Sequence, residues 1–217
     1  MEQVLSQPGR ANIGRPSREK ALQRQEELLD RALDLFLEHG YAHTTMDAIA
    51  NSLTMTKRTI YARYEDKAAF FRAVVMRAIE RMVASQASTL AAIDTDSLEG
   101  TLEAVARMRI QQVMTREGMR LQRIVNAESN RFPEIFRMAR KHITRPVIEF
   151  LSNVLSKHAA TGAIRVEWPE MTATAFMSMV VGAPIRVLAS GNRVDEAEME
   201  DRITFCIGLL KHGIGTR

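Results

Sequence analysis

The sequence predicts an all-α fold, a small three-helix head followed by a larger helical bundle, and three observations carry that. Apolar residues recur every three to four positions through nearly all of the chain. No segment alternates apolar and polar residues as a half-buried strand would, and no internal repeat competes. The breaks between periodic segments are short, marked by Asp94-Thr95-Asp96, Phe132-Pro133, Thr161-Gly162 and Gly191-Asn192. With 217 residues, 46% of them hydrophobic, there is ample material for a packed core in both parts. No apolar run approaches the ~20 residues that span a bilayer. Met1–Leu5 leads into polar residues rather than a secretory apolar segment, so a cytoplasmic location without a membrane partner is expected.

Residues 1–16 are expected to form a flexible basic arm: Arg10 and Arg15 stand among Pro8, Gly9, Gly14 and Pro16. Such an arm can follow a phosphate backbone or enter a minor groove, or it can be only a solubilising tail. From Ser17 to His39 the residues Leu22, Leu29, Ala32, Leu33 and Phe36 mark the buried stripe of a first helix. Gly40 is expected to end it in the left-handed conformation.

Residues Thr44 to Lys67, TTMDAIANSLTMTKRTIYARYEDK, read as two short helices joined by a tight turn. Thr44-x-x-Asp47 has the spacing of a capping box, with Met46, Ile49 and Ala50 facing inward. Thr56 is a second cap, serving a helix over Lys57–Tyr64. On that second helix Ile60 and Tyr64 share a core face, while Lys57, Arg58 and Tyr61 share another that nothing in the pattern buries. This is the geometry of a helix-turn-helix over residues 17–65, in which a short helix presents Arg and Lys to guanine edges and Thr or Tyr to phosphates. The candidate DNA-contacting residues are Arg15, Thr44, Thr45, Lys57, Arg58, Thr59, Tyr61, Arg63, Tyr64 and Lys67. Asp66 is expected to cap the next helix, placing Lys67 in a first turn where the dipole disfavours a cation; an external phosphate would explain it. The formal net charge of +4 is compatible with a nucleic-acid partner.

The run Gly40-Tyr41, Thr44 to Ala50, Thr56-Lys57, Thr59-Ile60-Tyr61, Tyr64 and Lys67 resembles the TetR (tetracycline-repressor) family of bacterial transcriptional regulators. The resemblance covers the first third of the chain in detail and the rest by architecture. Two positions depart from it. Thr54 stands in the turn where the family usually has Gly, and Thr tolerates positive φ poorly. Arg58 stands where a small residue is common.

Residues 66–217 are expected to form the body. A long helix starts at Asp66 and carries Ala68, Phe70, Phe71, Val74, Val75, Ile79, Met82 and Val83. Further helices are expected over Ser97–Met114, Glu117–Asn130, Pro133–Ala160 with a break near Thr144-Arg145-Pro146, Pro169–Ser190 bent at Pro184, and Asp195–His212. The last two are more apolar than one buried face requires. The resemblance implies that such a pair forms a homodimer's four-helix bundle, here through Phe176, Val180, Val187, Phe205 and Leu209. It also implies an effector pocket among the body helices. An apolar or amphipathic small molecule is expected there, lined by residues such as Met108, Gln112, Ile124, Phe136 and Met177.

The expectation is thus a DNA-binding head and a ligand-binding, dimerising body: a regulator, most simply a repressor, whose partners are duplex DNA, a second copy and an effector. The alternative is a helical small-molecule-binding protein or enzyme that does not read DNA. Against an enzyme, the five histidines are scattered and no metal, phosphate-loop or nucleophile signature is present. Glu128, Ser129 and His142 could converge, but their spacing gives no support. No cofactor, catalytic group or metal is expected, and the single cysteine, Cys206, falls in a helical core pattern. The cluster Arg131, Arg137, Arg140, Lys141 and Arg145 is most simply a solvated face; an acidic ligand or nearby DNA is the other reading.

Overall fold

Helix α1 (Arg18–His43) lies beside α4 (Lys67–Ala91), and between them in sequence sit α2 (Met46–Ser52) and α3 (Lys57–Tyr61). The computed structural model describes residues 18–190, 192 and 195–214; the expected basic arm and its Arg15 lie outside them. The body follows as α5 (Leu98–Met114), α6 (Arg116–Glu128), α7 (Pro133–Ala139), a π-helical turn (Arg140–Thr144), α8 (Arg145–Ala160), α9 (Pro169–Ala189) and α10 (Glu196–Ile214).

The boundaries follow local chemistry. Ser97 and Thr115 accept the N–H groups of Gly100 and Gly118 at 3.1 and 3.0 Å, and Asp66 accepts that of Ala69 at 2.6 Å, so each caps a helix start. The expected break near Thr144-Arg145-Pro146 is the end of the π turn, and Pro146 falls in the first turn of α8, where its missing N–H costs least. Gly40 has positive φ as expected, but its ψ of 163° puts it in a region open only to glycine rather than in the left-handed helix. The chain therefore kinks at Gly40 and makes one more helical turn to His43 instead of stopping.

Two cores result. The first gathers Leu28, Leu33, Phe36, Ile49, Ile60, Phe70, Phe71 and Ile79 with Leu121, Ile124, Phe132 and Ile135 of the body. The packing does not part at residue 65, because the first half of α4 belongs to this core. The second gathers Leu102, Val105, Leu151, Leu155, Phe176, Val180, Ile203 and Cys206, the cysteine buried as its pattern suggested. Leu22, expected in the buried stripe of α1, is 56% exposed, since it lies beyond the end of that core.

Polar contacts among those that fasten head to body come from α4 and α6. The Tyr41 backbone N–H donates to Glu128 Oε1 at 3.1 Å. Asp34 pairs with Arg120 at 2.8 Å, and Arg81 donates to Asp30 at 2.9 Å while pairing with Glu117 at 2.6 Å. α4 and α6 thus hold α1 from two sides.

Candidate nucleic-acid interface and ligand cavity

The head is set by which hydroxyls face in. Thr44 was expected to cap α2 and touch DNA, but it is fully buried; its hydroxyl donates to Gly40 O at 2.8 Å and lies 3.1 Å from Leu35 O. The kink at Gly40 leaves those carbonyls short of helical partners, and Thr44 satisfies them. Thr45 caps α2 instead, accepting from Ala48 N at 3.1 Å, and remains at the surface. Thr56 caps α3, accepting from Thr59 N at 3.2 Å. The turn between passes through Thr54 at φ 53°, the one non-glycine residue with positive φ among those described. The shape that glycine would give is therefore kept, with strain.

Buried Ile60 fixes the rotation of α3. Lys57, Arg58, Thr59, Tyr61 and Arg63 consequently reach solvent, while Tyr64 is half-buried, its ring 4.9 Å from that of Phe70. Lys57 pairs with Asp47 at 2.6 Å, tying α3 to α2. Arg63 donates to Gln25 at 3.3 Å. Arg58 and Tyr61 have no polar partner among the described residues, and Tyr61 is 45% exposed. Lys67 differs from expectation. Its Nζ donates to Ala42 O at 3.2 Å and lies 4.4 Å from the centre of the Tyr41 ring, and burial holds its pKa below the usual 10.5. The carbonyl end of α1 and an aromatic face explain the cation, so no external anion is required.

In the body a cavity of about 580 Å³ opens between α5, α6, α7, the π turn, α8 and α9. Val113, Leu121, Val125, Ile143, Val147, Ile148, Met177 and Val181 make its apolar wall, with Phe136 at 52% exposure on one side. Of the five expected lining residues, Phe136 and Met177 line it. Met108 is packed in the second core, Ile124 in the first, and Gln112 stands behind the wall holding Arg109 at 2.6 Å. Side-chain direction on α5 and α6 decides this, and spacing alone did not resolve which face opens.

The sequence reading missed Arg109. It is 6% exposed and lines the cavity, and burial lowers its pKa to about 10. Its Nη1 donates to Gln112 Oε1 at 2.6 Å and lies 3.3 Å from Gln86 Oε1; Gln86 in turn donates to Ile143 O, at 2.9 Å, inside the π turn. One signal was available: Leu102, Val105, Arg109 and Val113 recur at helical spacing, so Arg109 is a charge at a core position. Of the basic cluster, Arg140 and Arg145 line the cavity, and Arg145 pairs with Glu149 at 2.6 Å.

On the last two helices, Phe205, Leu209 and Val187 are 67%, 49% and 38% exposed. Phe176 and Val180, expected at a subunit contact, are fully buried in the chain's own second core, because their face of α9 packs on α5 and α8. Among the described residues no helix is long and apolar enough to cross a membrane, and no group of three His, Cys, Asp or Glu is placed to hold a metal.

Residues 28–74 match the family model described as bacterial regulatory proteins, tetR family, and residues 100–209 match the C-terminal domain of AefR-like transcriptional repressors. The chain is 35% identical over 66 residues to the HTH-type transcriptional repressor ComR of Escherichia coli K12, an alignment covering 30% of this chain and 31% of ComR. Its fold is that of a Mesorhizobium loti protein described as a TetR-family regulator, with TM-score 0.75 and 22% identity over 91% of this chain and 99% of that one. It is also similar in fold to the flavonoid-responsive regulator FrrA, with TM-score 0.66 and 24% identity over 90% and 98% of the two chains.

Proposed function

The chain belongs to the TetR family of bacterial regulatory proteins, and on that premise we propose a transcriptional repressor that grips a palindromic operator as a dimer and releases it when a small organic effector fills the body cavity. The observation that carries this reading is the outer face of α3, where Arg58 and Tyr61 stand exposed and, among the described residues, without polar partners, while Ile60 beneath them is fully buried. That arrangement supports a reading in which a guanidinium and a phenol are offered to a major groove from a fixed helix. Thr45, Lys57, Thr59 and Arg63 flank them as phosphate or base contacts, and Tyr64 and Lys67 support the face from within. The basic arm of residues 1–16, with Arg15, extends the footprint along the backbone. In this reading residues 17–65 read DNA and 66–217 bind the effector and the second copy.

An effector can alter operator affinity only by favouring one arrangement of the two heads. The cavity wall includes Gly118, Leu121, Val125 and Met82. These residues stand on α6 and α4, the helices that carry Arg120, Glu128 and Arg81 to α1. A ligand that shifts α6 therefore shifts the seat of the head.

Selection of operators from random duplexes tests the DNA-reading part. The expected product is an inverted repeat whose half-sites are spaced by about 34 Å or a multiple, bound with an affinity that falls steeply with salt. Arg58→Ala and Tyr61→Ala should each erode the preference for that repeat over random DNA. No enriched sequence, or equal loss of specific and non-specific binding for Arg58→Ala, would remove the reading role from α3.

A further inference from the structure

We propose that the effector is an organic anion whose acidic group binds the guanidinium of Arg109 while its apolar body lies against Leu121, Val125, Val147 and Met177. This inference rests on the reading of the cavity as an effector site and adds the chemistry of what enters it.

Three observations converge. First, Arg109 is 6% exposed, yet among the described residues no carboxylate pairs with it; its polar partners are the neutral amide oxygens of Gln86 and Gln112. Amide oxygens orient a guanidinium without neutralising it. A buried charge left that way is unfavourable unless something else supplies the counter-charge. With its pKa near 10, Arg109 remains a cation at neutral pH. Second, both hydrogen bonds engage Nη1, which leaves the rest of the planar fork for a bidentate acceptor. Third, the cavity's other charged residues are mostly of the same sign. Arg140, Arg145 and Arg186 line it against one acid, Glu170, so the field inside attracts an anion before contact.

The position of Arg109 also links binding to the head. Gln112 precedes the α5–α6 turn, and Gln86 lies on α4 and donates to the π turn. An acid that draws on Arg109 therefore pulls on a network shared by α4, α5 and the wall beside α7.

The test uses the full chain and two pairs of probes that differ only in charge, octanoate with octanamide and 2-naphthoate with 2-naphthamide. Calorimetry gives each affinity, and operator DNA binding is measured with each present. Each acid should bind about 10- to 100-fold tighter than its amide, the worth of a charge-assisted pair, and only the acids should release DNA at low concentration. In Arg109→Gln and Arg109→Met that ratio should fall by most of its value, to the few-fold preference the field of the remaining arginines supplies, while the amides bind as before. Arg109→Met should also melt higher than wild type without any ligand, since an uncompensated buried charge is gone.

Equal affinity for acid and amide in wild type, or an acid preference undiminished by both substitutions, overturns the inference. Amides that release DNA where the acids do not would overturn it too, while leaving a ligand-responsive repressor. No binding by any of the four overturns the effector site and this inference together.

Discussion

The ring of Phe132 meets the ring of Tyr41 edge-on at 4.8 Å, and Tyr41 also packs against Phe36 and Phe71 at 6.0 and 5.1 Å. Phe132 ends the loop between α6 and α7, whereas Tyr41 sits just past the Gly40 kink of α1. This aromatic cluster is therefore where the body grips the head. Edge-on pairs contribute about 0.5–1.5 kcal/mol beyond area burial. A double-mutant cycle of Tyr41→Leu and Phe132→Leu in urea should yield a coupling energy of that size. Strict additivity would show that the two rings stabilise their elements independently.

Thr54 holds a turn that its side chain disfavours. A non-glycine residue with φ near +53° carries about 1–2 kcal/mol of strain, more for a β-branched one. Glycine would remove it but leave an unfolded chain with more freedom, returning ~0.5–1 kcal/mol. Thr54→Gly should stabilise the protein by a net ~0.5–1 kcal/mol, read as a higher urea midpoint at unchanged slope. A lower midpoint would mean that the Thr54 side chain makes a compensating contribution.

Much of the fold was legible because helices announce themselves by period and cap. Ser97, Thr56, Asp66 and Pro133 each stand where a helix begins, and Ile49, Ile60 and Phe70 are fully buried as their spacing required. Orientation was harder to read. Thr44 and Thr45 are neighbours with the same side chain, and only the kink at Gly40 decides which is buried and which caps. Phe176 and Val180 belong to a helix apolar on more than one face, so the pattern could not say which face meets the chain's own core. Lys67 appeared to lack a counter-charge because its partners, a carbonyl and a ring from α1, come from more than twenty residues earlier. The cavity depends on the angles between α5, α6 and α9, which no periodicity encodes.

Gly118 should tolerate no side chain. A Cβ there would overlap the backbone carbonyl oxygen of Gln112 and crowd Thr115 Oγ1 at 3.1 Å. Relief requires moving the last turn of α5, which carries the Gln112 that orients Arg109. Gly118→Ala should therefore destabilise the chain by ~1–3 kcal/mol, the range for overpacking a close contact, despite alanine's better helix propensity. Calorimetric melting showing an unchanged or raised Tm would contradict the close approach.

Asp30 gives the stability an acid limb. The hydrogen bond from Arg81 holds its pKa below the ordinary 3.8, against the opposing effect of burial. A carboxylate depressed in the folded state contributes stability that is fully present above its unfolded value and is lost as pH falls through the folded one. The wild type should therefore lose its advantage over Asp30→Asn from about pH 4 downward, with the two stability curves converging. Because the Asp30 side chain is 41% exposed, solvent screening keeps the effect small. Parallel curves across that range would mean Arg81 gains nothing from the charge.

Phe205 and Leu209 lie four residues apart on α10, hence on one face, and both are large, apolar and exposed, with Val187 of α9 also at the surface. Exposed apolar groups of this size on adjacent helices are favourably covered by another apolar surface, and a twofold-related copy presents the same residues in return. Phe205→Glu with Leu209→Glu should convert the proposed dimer into a folded monomer in sedimentation velocity, since neither side chain belongs to the chain's own core. Helical content and cooperative melting should remain. Operator affinity should fall sharply, because each head then binds its half-site without the effective concentration that a linked partner provides. Phe176→Glu provides the contrast: at 0% exposure it places a charge in the second core and should unfold the body rather than merely separate two bodies. A dimer that persists with both glutamates in place would move the twofold contact away from this face of α10.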